Sequence, residues 1–413
     1  MTQTTRLGAG RYISAGQAPA TTITTAHELR TSDGATVTGV LRTVPGARGV
    51  VCLMHPRQDF THHVLVPELL ARGAAVWTQT SRSVNNDLAL IHEQTVLDMA
   101  AGQAFLREAG FAHVITLGHS GGGTLAALYH QQAGLAPAQR ISHTPAGRPT
   151  MLADAELPLP DAAIFLAAHL GQGRLLQRLI DPSVIDETDP LSVDPGLDPY
   201  RAANGFASPP QSSSYAPEFI DRYRAAQRAR ISRIDNLARE LATEAAAARI
   251  CYADTGDVSD RRRAIAPRVI TVYRTDADLR SVDQSLDPNE RPYGSLLGRR
   301  PDLINYGLTG FGRFCTPDAW LSTWSANTSN ADLLRCAPGV TAPTLLIELT
   351  GDQAGFPEDA AAVRREIGAV DLTHRVVRGL HFGGPISAGE PTASSLSADV
   401  IGEWIAARFP LAA

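Results

Sequence analysis

The stretch His113-Val-Ile-Thr-Leu-Gly-His-Ser120-Gly-Gly-Gly-Thr124 constrains this chain more than any other. An apolar run meets a serine flanked by glycines and passes almost at once into helical spacing that reaches Gln132. Gly118-His119-Ser120-Gly121-Gly122 thus fills the pattern G-x-S-x-G at a strand-to-helix junction. The pentapeptide alone is a weak signal; its placement makes it a strong one. Such a turn holds the serine in strained backbone geometry with Oγ projecting outward, and side chains at Gly118 and Gly122 would collide across it. It also brings the N–H of Gly121 and the dipole of the helix toward Oγ, where negative charge develops during attack on a carbonyl. A phosphate-binding loop is the competing reading of a glycine-rich turn here. It requires G-x-G-x-x-G spacing or a lysine, and all 37 basic residues of this chain are arginine. The absence of lysine also excludes a Schiff-base lysine and a Ser-Lys dyad.

The junction belongs to a longer alternation. His27 to Arg42 alternates about Ser32-Asp33-Gly34 as a β-hairpin does. Gly49 to His55 is a short apolar run suited to a strand buried on both faces. A helix is predicted over 63–72, a strand over 74–80, a helix over 90–109 and a strand over 161–168. Strand and helix in alternation predict the α/β class, with a doubly wound, mostly parallel sheet. After Gly171 the alternation stops. Residues 181–214 are rich in Asp, Pro and Ser and read as loop, 217–250 as one long helix, and 269–273 as a strand. The pattern resumes with a strand at Pro343 to Ile347, a helix over 359–367, a strand over 372–377 and a closing helix over 396–409. The expected organisation is an N-terminal tail (1–21), a core (22–171 and 341–413) of the size of a single α/β domain, and an inserted segment (172–340).

A serine hydroxyl becomes a useful nucleophile only when a base takes its proton and an acid orients that base. In its G-x-S-x-G junction and in the residues downstream of it, the chain resembles the α/β-hydrolase superfamily, whose triad runs Ser…Asp/Glu…His. The resemblance covers the core segments and implies Ser120 as nucleophile. Pro343-Thr-Leu-Leu-Ile347 looks like the strand preceding the acid, which places Asp352 at the acid position. A G-x-x-D register counted from Gly351 would instead reach Ala354, which cannot serve. Glu348 and Asp359 are the alternative acids, the first expected within the strand and the second within the next helix. Gly379-Leu380-His381-Phe382 resembles the loop carrying the catalytic histidine, whereas His374 falls inside a strand. The second oxyanion donor should come from the loop after the Gly49–His55 strand. Relatives often have His-Gly there; this chain has His55-Pro56-Arg57-Gln58. Pro56 has no N–H, so the backbone N–H of Arg57 is the expected donor beside that of Gly121. The Arg57 side chain reads as solvated or as a group that reaches the substrate. In that superfamily an insertion after the sixth strand forms a cap, so a large, mainly helical cap is expected here. Phe311, Phe314, Trp320 and Trp324, with Tyr306, are its candidate substrate-binding aromatics. The competing reading is that they form the core of the cap itself.

Composition narrows the remaining classes. Over 413 residues the apolar fraction is 44%, the charged fraction 19% and the formal net charge −5, values of a globular enzyme without an electrostatic footprint for nucleic acid. No apolar run approaches the ~18 residues of a membrane span. The start of the chain lacks the pattern of a secretory signal, so a cytoplasmic setting is expected. Cys52, Cys251, Cys315 and Cys336 show no CxxC pairing and read as reduced thiols. His55, His62 and His63 lack zinc-type spacing, so neither a metal nor another cofactor is expected. The implied activity is that of an esterase-like serine hydrolase acting on a small-molecule, apolar carbonyl substrate through an acyl-enzyme. Hydrolysis of a carbon–carbon bond beside a ketone and a non-catalytic ligand-binding role are the alternatives. The cap also offers a surface for homodimerisation.

Overall fold

A computed structural model describes residues 16–409; most of the expected N-terminal tail lies outside them. Eight strands form one sheet: β1 (Ile23–Arg30), β2 (Thr36–Thr43), β3 (Gly49–Met54), β4 (Ala75–Gln79), β5 (His113–His119), β6 (Ala162–Leu166), β9 (Thr344–Gly351) and β10 (Leu372–Leu380). Their spatial order is β1-β2-β4-β3-β5-β6-β9-β10. The β1–β2 and β2–β4 pairs are antiparallel and every other neighbour is parallel. β3 is buried along its whole length, which is why it reads as a continuous apolar run rather than an alternating one.

Helices cover both faces, so the expected α/β, doubly wound sheet is the architecture found. On one face α1 (Leu65–Ala71) and α11 (Ala393–Ala406) pack Leu65, Leu69, Ile401 and Trp404 against Val51, Leu53 and Ile347. On the other, α2 (His92–Glu108), α3 (Gly121–Gly134) and α10 (Pro357–Glu366) close over Phe165 and Leu346 with Val96, Leu125 and Val363. The two antiparallel strands end one side of the sheet. The carboxyl ends of the parallel strands share one rim, where α/β sheets carry their sites.

Between β6 and β9 lies the mainly helical cap: α4 (Gln172–Leu179), α5 (Pro217–Thr255), α6 (Val258–Ile265), the short α7 (Pro301–Ile304), α8 (Pro317–Ala319) and α9 (Leu333–Cys336). Its own core gathers Leu176, Ile231, Ile234, Trp320 and Trp324. The Asp-rich loop is ordered by its own sequence. The side chains of Asp181, Asp186, Asp189, Asp194 and Asp198 each accept the N–H two residues on, at 2.8–2.9 Å, the turn-forming habit of aspartate. The strand predicted over 269–273 shrinks to β7 (Ile270–Thr271), paired only with β8 (Phe314–Cys315). Just beyond it, Arg274 takes a positive φ of 55° and turns the chain away. Ala331, Leu333, Cys336 and Val340 pack into the same cluster as α3, so the end of the inserted segment joins the main core. Cys52, Cys251, Cys315 and Cys336 are all free thiols. Among the described residues, no helix is long and apolar enough to cross a membrane.

Candidate active site

The strand-to-helix junction is as tight as its glycines suggest. Ser120 has φ 56° and ψ −127°, a conformation a serine holds only when its surroundings dictate it. A Cβ on Gly118 would lie 2.4 Å from Gly123 Cα, across the turn. One on Gly122 would lie 2.6 Å from the Met54 carbonyl oxygen. That second collision is with the end of β3 rather than across the turn, so Gly122 is demanded by the packing of the start of α3 on that strand.

Asp352 and His381 arrive from the ends of β9 and β10. Ser120 Oγ lies 3.0 Å from His381 Nε2, and His381 Nδ1 lies 2.8 Å from Asp352 Oδ1. The same carboxylate oxygen accepts the N–H groups of Ala354 at 2.7 Å and Gly355 at 3.1 Å, which fix the acid's orientation. The alternatives lie elsewhere. Glu348 is 3.3 Å from His374, and Asp359 sits near the N-terminus of α10, 3.4 Å from Arg280.

The His381 loop is held from behind by two further histidines. The Leu65 N–H donates to His63 Nδ1 at 3.3 Å. That leaves the His63 proton on Nε2, which faces His119 Nδ1 at 2.8 Å. His119 Nε2 in turn donates to the His381 carbonyl at 2.8 Å. A single hydrogen-bond direction is therefore consistent along the chain, each tautomer set by the bond before it. Burial lowers the pKa of His63 to about 4 and that of His119 as well, so both stay neutral.

The oxyanion loop departs from expectation. The Arg57 backbone N–H donates to His55 Nδ1 at 3.1 Å and that of Gln58 does so at 3.0 Å. The Arg57 N–H is thus engaged and turned away from the expected role. Its guanidinium, half-buried, is held within the protein: it makes a two-pronged bond to Asp87 at 2.7 Å for each prong and lies 5.2 Å from the ring centroids of Phe311 and Trp324. Gly121, by contrast, opens α3, where the first N–H groups have no acceptor within the helix.

Of the four aromatics expected at the substrate, only Phe311 lines the small cavity over Ser120. Phe314 lines an outer cleft. Trp320 and Trp324 are fully buried in the cap core, and Trp320 Nε1 donates to Asp235 at 2.7 Å. Tyr306 lies against the Arg274 guanidinium in a separate cleft. The cavity over Ser120 measures about 30 Å³ and is lined on its outer side by Arg57, Gln58, Phe311 and Leu296; the outer cleft measures about 510 Å³ and shares Arg57 and Gln58 with it. His55, His62 and His63 do not gather: His55 faces the cavity, His63 faces His119, and His62 is exposed. Among the described residues, no group of three or more His, Cys, Asp or Glu side chains is arranged to hold a metal ion. Sequence reasoning missed His119 and His169. Both, like His55, stand at or just beyond the carboxyl end of a parallel strand, and that shared position was the available signal.

No protein-family model matches the chain, and no curated protein matches it by sequence. Solved structures do. DcsB in complex with its substrate analogue superposes with a TM-score of 0.51 at 12% identity, over 94% of this chain and 100% of that one. The α/β hydrolase GrgF from Penicillium sp. sh18 gives 0.46 at 12% identity over 94% and 96%. The esterase domain of a Rhodothermus marinus protein gives 0.42 at 10% identity over 93% and 98%. At such identities the likeness is one of fold, and it rests on the first of the three.

Proposed function

We propose, from the premise that this chain has the α/β-hydrolase fold, that it is a serine hydrolase cleaving a carboxylic ester or a related carbonyl substrate. One observation carries the reading: the unbroken Ser120–His381–Asp352 line at 3.0 and 2.8 Å on the carboxyl rim of the sheet. His381 takes the Ser120 proton as Oγ attacks the carbonyl carbon, and later returns it to the leaving group. Asp352 keeps the His381 proton on Nδ1 and stabilises the imidazolium that forms. The Gly121 N–H meets the charge developing on the carbonyl oxygen. Water, activated by the same histidine, releases the acyl group and restores Ser120. The burial of His55, His169 and His381 around Ser120 supports this chemistry, because fixed dipoles act more strongly where water is scarce.

A fluorophosphonate probe tests the reading. Wild-type protein is expected to become labelled on Ser120 and to hydrolyse short aryl esters, and Ser120→Ala is expected to lose both. Wild type that is folded yet neither labelled nor active on any ester would rule the proposal out.

A further inference from the structure

Three buried histidines share one local arrangement. In each, ring Nδ1 accepts the backbone N–H two residues further on: His55 from Arg57 at 3.1 Å, His63 from Leu65 at 3.3 Å and His169 from Gly171 at 3.1 Å. His55 Nδ1 accepts a second, from Gln58. A neutral imidazole carries one N–H, so an Nδ1 that accepts places the proton on Nε2. His63 uses that proton within the protein, on His119. His55 and His169 do not: among the described residues no hydrogen bond is made by either Nε2, and both side chains line the cavity that contains Ser120 Oγ.

The two Nε2 atoms converge. A point one Cβ bond from Gly121 Cα lies 2.9 Å from His55 Nε2, 3.2 Å from His169 Nε2 and 2.3 Å from Gln172 Nε2. The residue after the nucleophile must therefore be glycine, since three side-chain nitrogens occupy the space its side chain would need. The cavity these three side chains line is small, about 30 Å³. An oxygen on the carbon attacked by Ser120 has few places to go in so small a space, and these donors stand at its wall. Burial, reinforced for His55 by the Arg57 charge and for His169 by His381, holds both rings neutral; the pKa of His169 is pushed down to about 3. A neutral imidazole N–H donates a hydrogen bond to a developing oxyanion without surrendering its proton, as a pKa-lowered histidine can.

We infer that the oxyanion of the tetrahedral intermediate is held by the side-chain Nε2–H groups of His55 and His169 together with the Gly121 N–H, in place of a second backbone donor from the Arg57 loop. The inference rests on the serine hydrolase reading and assigns its oxyanion site. It makes the Arg57 and Gln58 N–H groups positioning groups: by occupying His55 Nδ1 they aim the opposite nitrogen at the substrate.

Substitutions can separate donor from scaffold. Asparagine keeps an acceptor near the place of Nδ1 but has no group at Nε2; glutamine reaches the place of Nε2 with a donor. For His55→Asn and His169→Asn, kcat on an aryl ester and the rate of fluorophosphonate labelling are each expected to fall about 100-fold. KM and the thermal midpoint should stay close to wild type, and His55→Gln should recover most of the loss. Wild-type kcat in both asparagine variants, or equal losses in folded His55→Asn and His55→Gln, would overturn the assignment while leaving the hydrolase reading intact. Failure of wild type itself to be labelled or to turn over ester would overturn both.

Discussion

At the scale of the residue, the site is an exercise in saturating one acceptor. Asp352 Oδ1 receives three N–H groups, from His381, Ala354 and Gly355. The two backbone donors fix the carboxylate so that His381 Nδ1 has one place to put its proton. Asp352→Asn leaves an oxygen for Ala354 and Gly355 but removes the charge that selects the tautomer and stabilises the imidazolium. The kcat for ester hydrolysis at neutral pH is expected to fall about 10⁴-fold with little change in thermal midpoint; activity within about tenfold of wild type would deny Asp352 its role. Glu348, weighed against it from sequence, is ruled out by direction alone: its carboxylate pairs with His374 on the neighbouring strand instead of facing the site.

At the scale of the element, the cap is fastened to the core at the start of α2. Glu93 is wholly buried; its carboxylate accepts Ser322 at 2.7 Å and Asn330 at 2.8 Å. The His92 N–H donates to Ser322 Oγ, and Thr323 donates to the Leu90 carbonyl. The wide turn Trp320–Trp324 thus turns its polar side to α2 and its indoles to α5. Glu93→Ala would leave two buried donors without acceptors, at a cost of about 1–3 kcal/mol for each group left unpaired. Urea denaturation should show that loss, and Glu93→Gln, which keeps an acceptor oxygen, should lose less. Equal stability of Glu93→Ala and wild type would mean that the cap is held elsewhere.

At the scale of the whole molecule, two properties arise from what is enclosed. The cavity over Ser120 is far smaller than the outer cleft, and Arg57, tied to Asp87, lines both. A substrate entering from the outer cleft passes Arg57. Asp87→Ala, which unties the guanidinium, is expected to speed labelling of Ser120 by a bulky fluorophosphonate several-fold more than labelling by a small one. Equal effects on both probes would place the entrance elsewhere. The second property is acid sensitivity. Burial lowers the pKa of His63, His92 and His130 to about 4 and of His169 to about 3, and lowers His55 and His119 too. Unfolded, these rings titrate near about 6.5. Their neutral burial is fully tolerated above that pH. As the pH falls from about 6.5 toward 4, the unfolded chain takes up protons that the fold refuses, and stability drops by up to about 1.4 kcal/mol per pH unit for each histidine. Denaturant midpoints measured at about pH 7.5, 6 and 5 should therefore fall steeply across the last two; a flat profile would contradict the burial of these rings as neutral groups.

Much of the architecture was legible because its causes are local. Apolar runs of strand length, helical spacing and glycines at the turns reported the doubly wound sheet, and a serine between Gly118 and Gly122 reported the strained junction. The order Ser120, Asp352, His381 along the chain matched the order in which β5, β9 and β10 deliver them to one rim. Those features depend on neighbours within a few residues, or on the succession of strands. What the tertiary structure alone decided was direction. Whether the Arg57 N–H faces the substrate or His55, whether Trp320 lines a pocket or a core, and whether His169 meets Gly121 depend on atoms brought together from distant parts of the chain. Spacing along a sequence carries no record of where a hydrogen bond points, and in this site the chemistry turns on that.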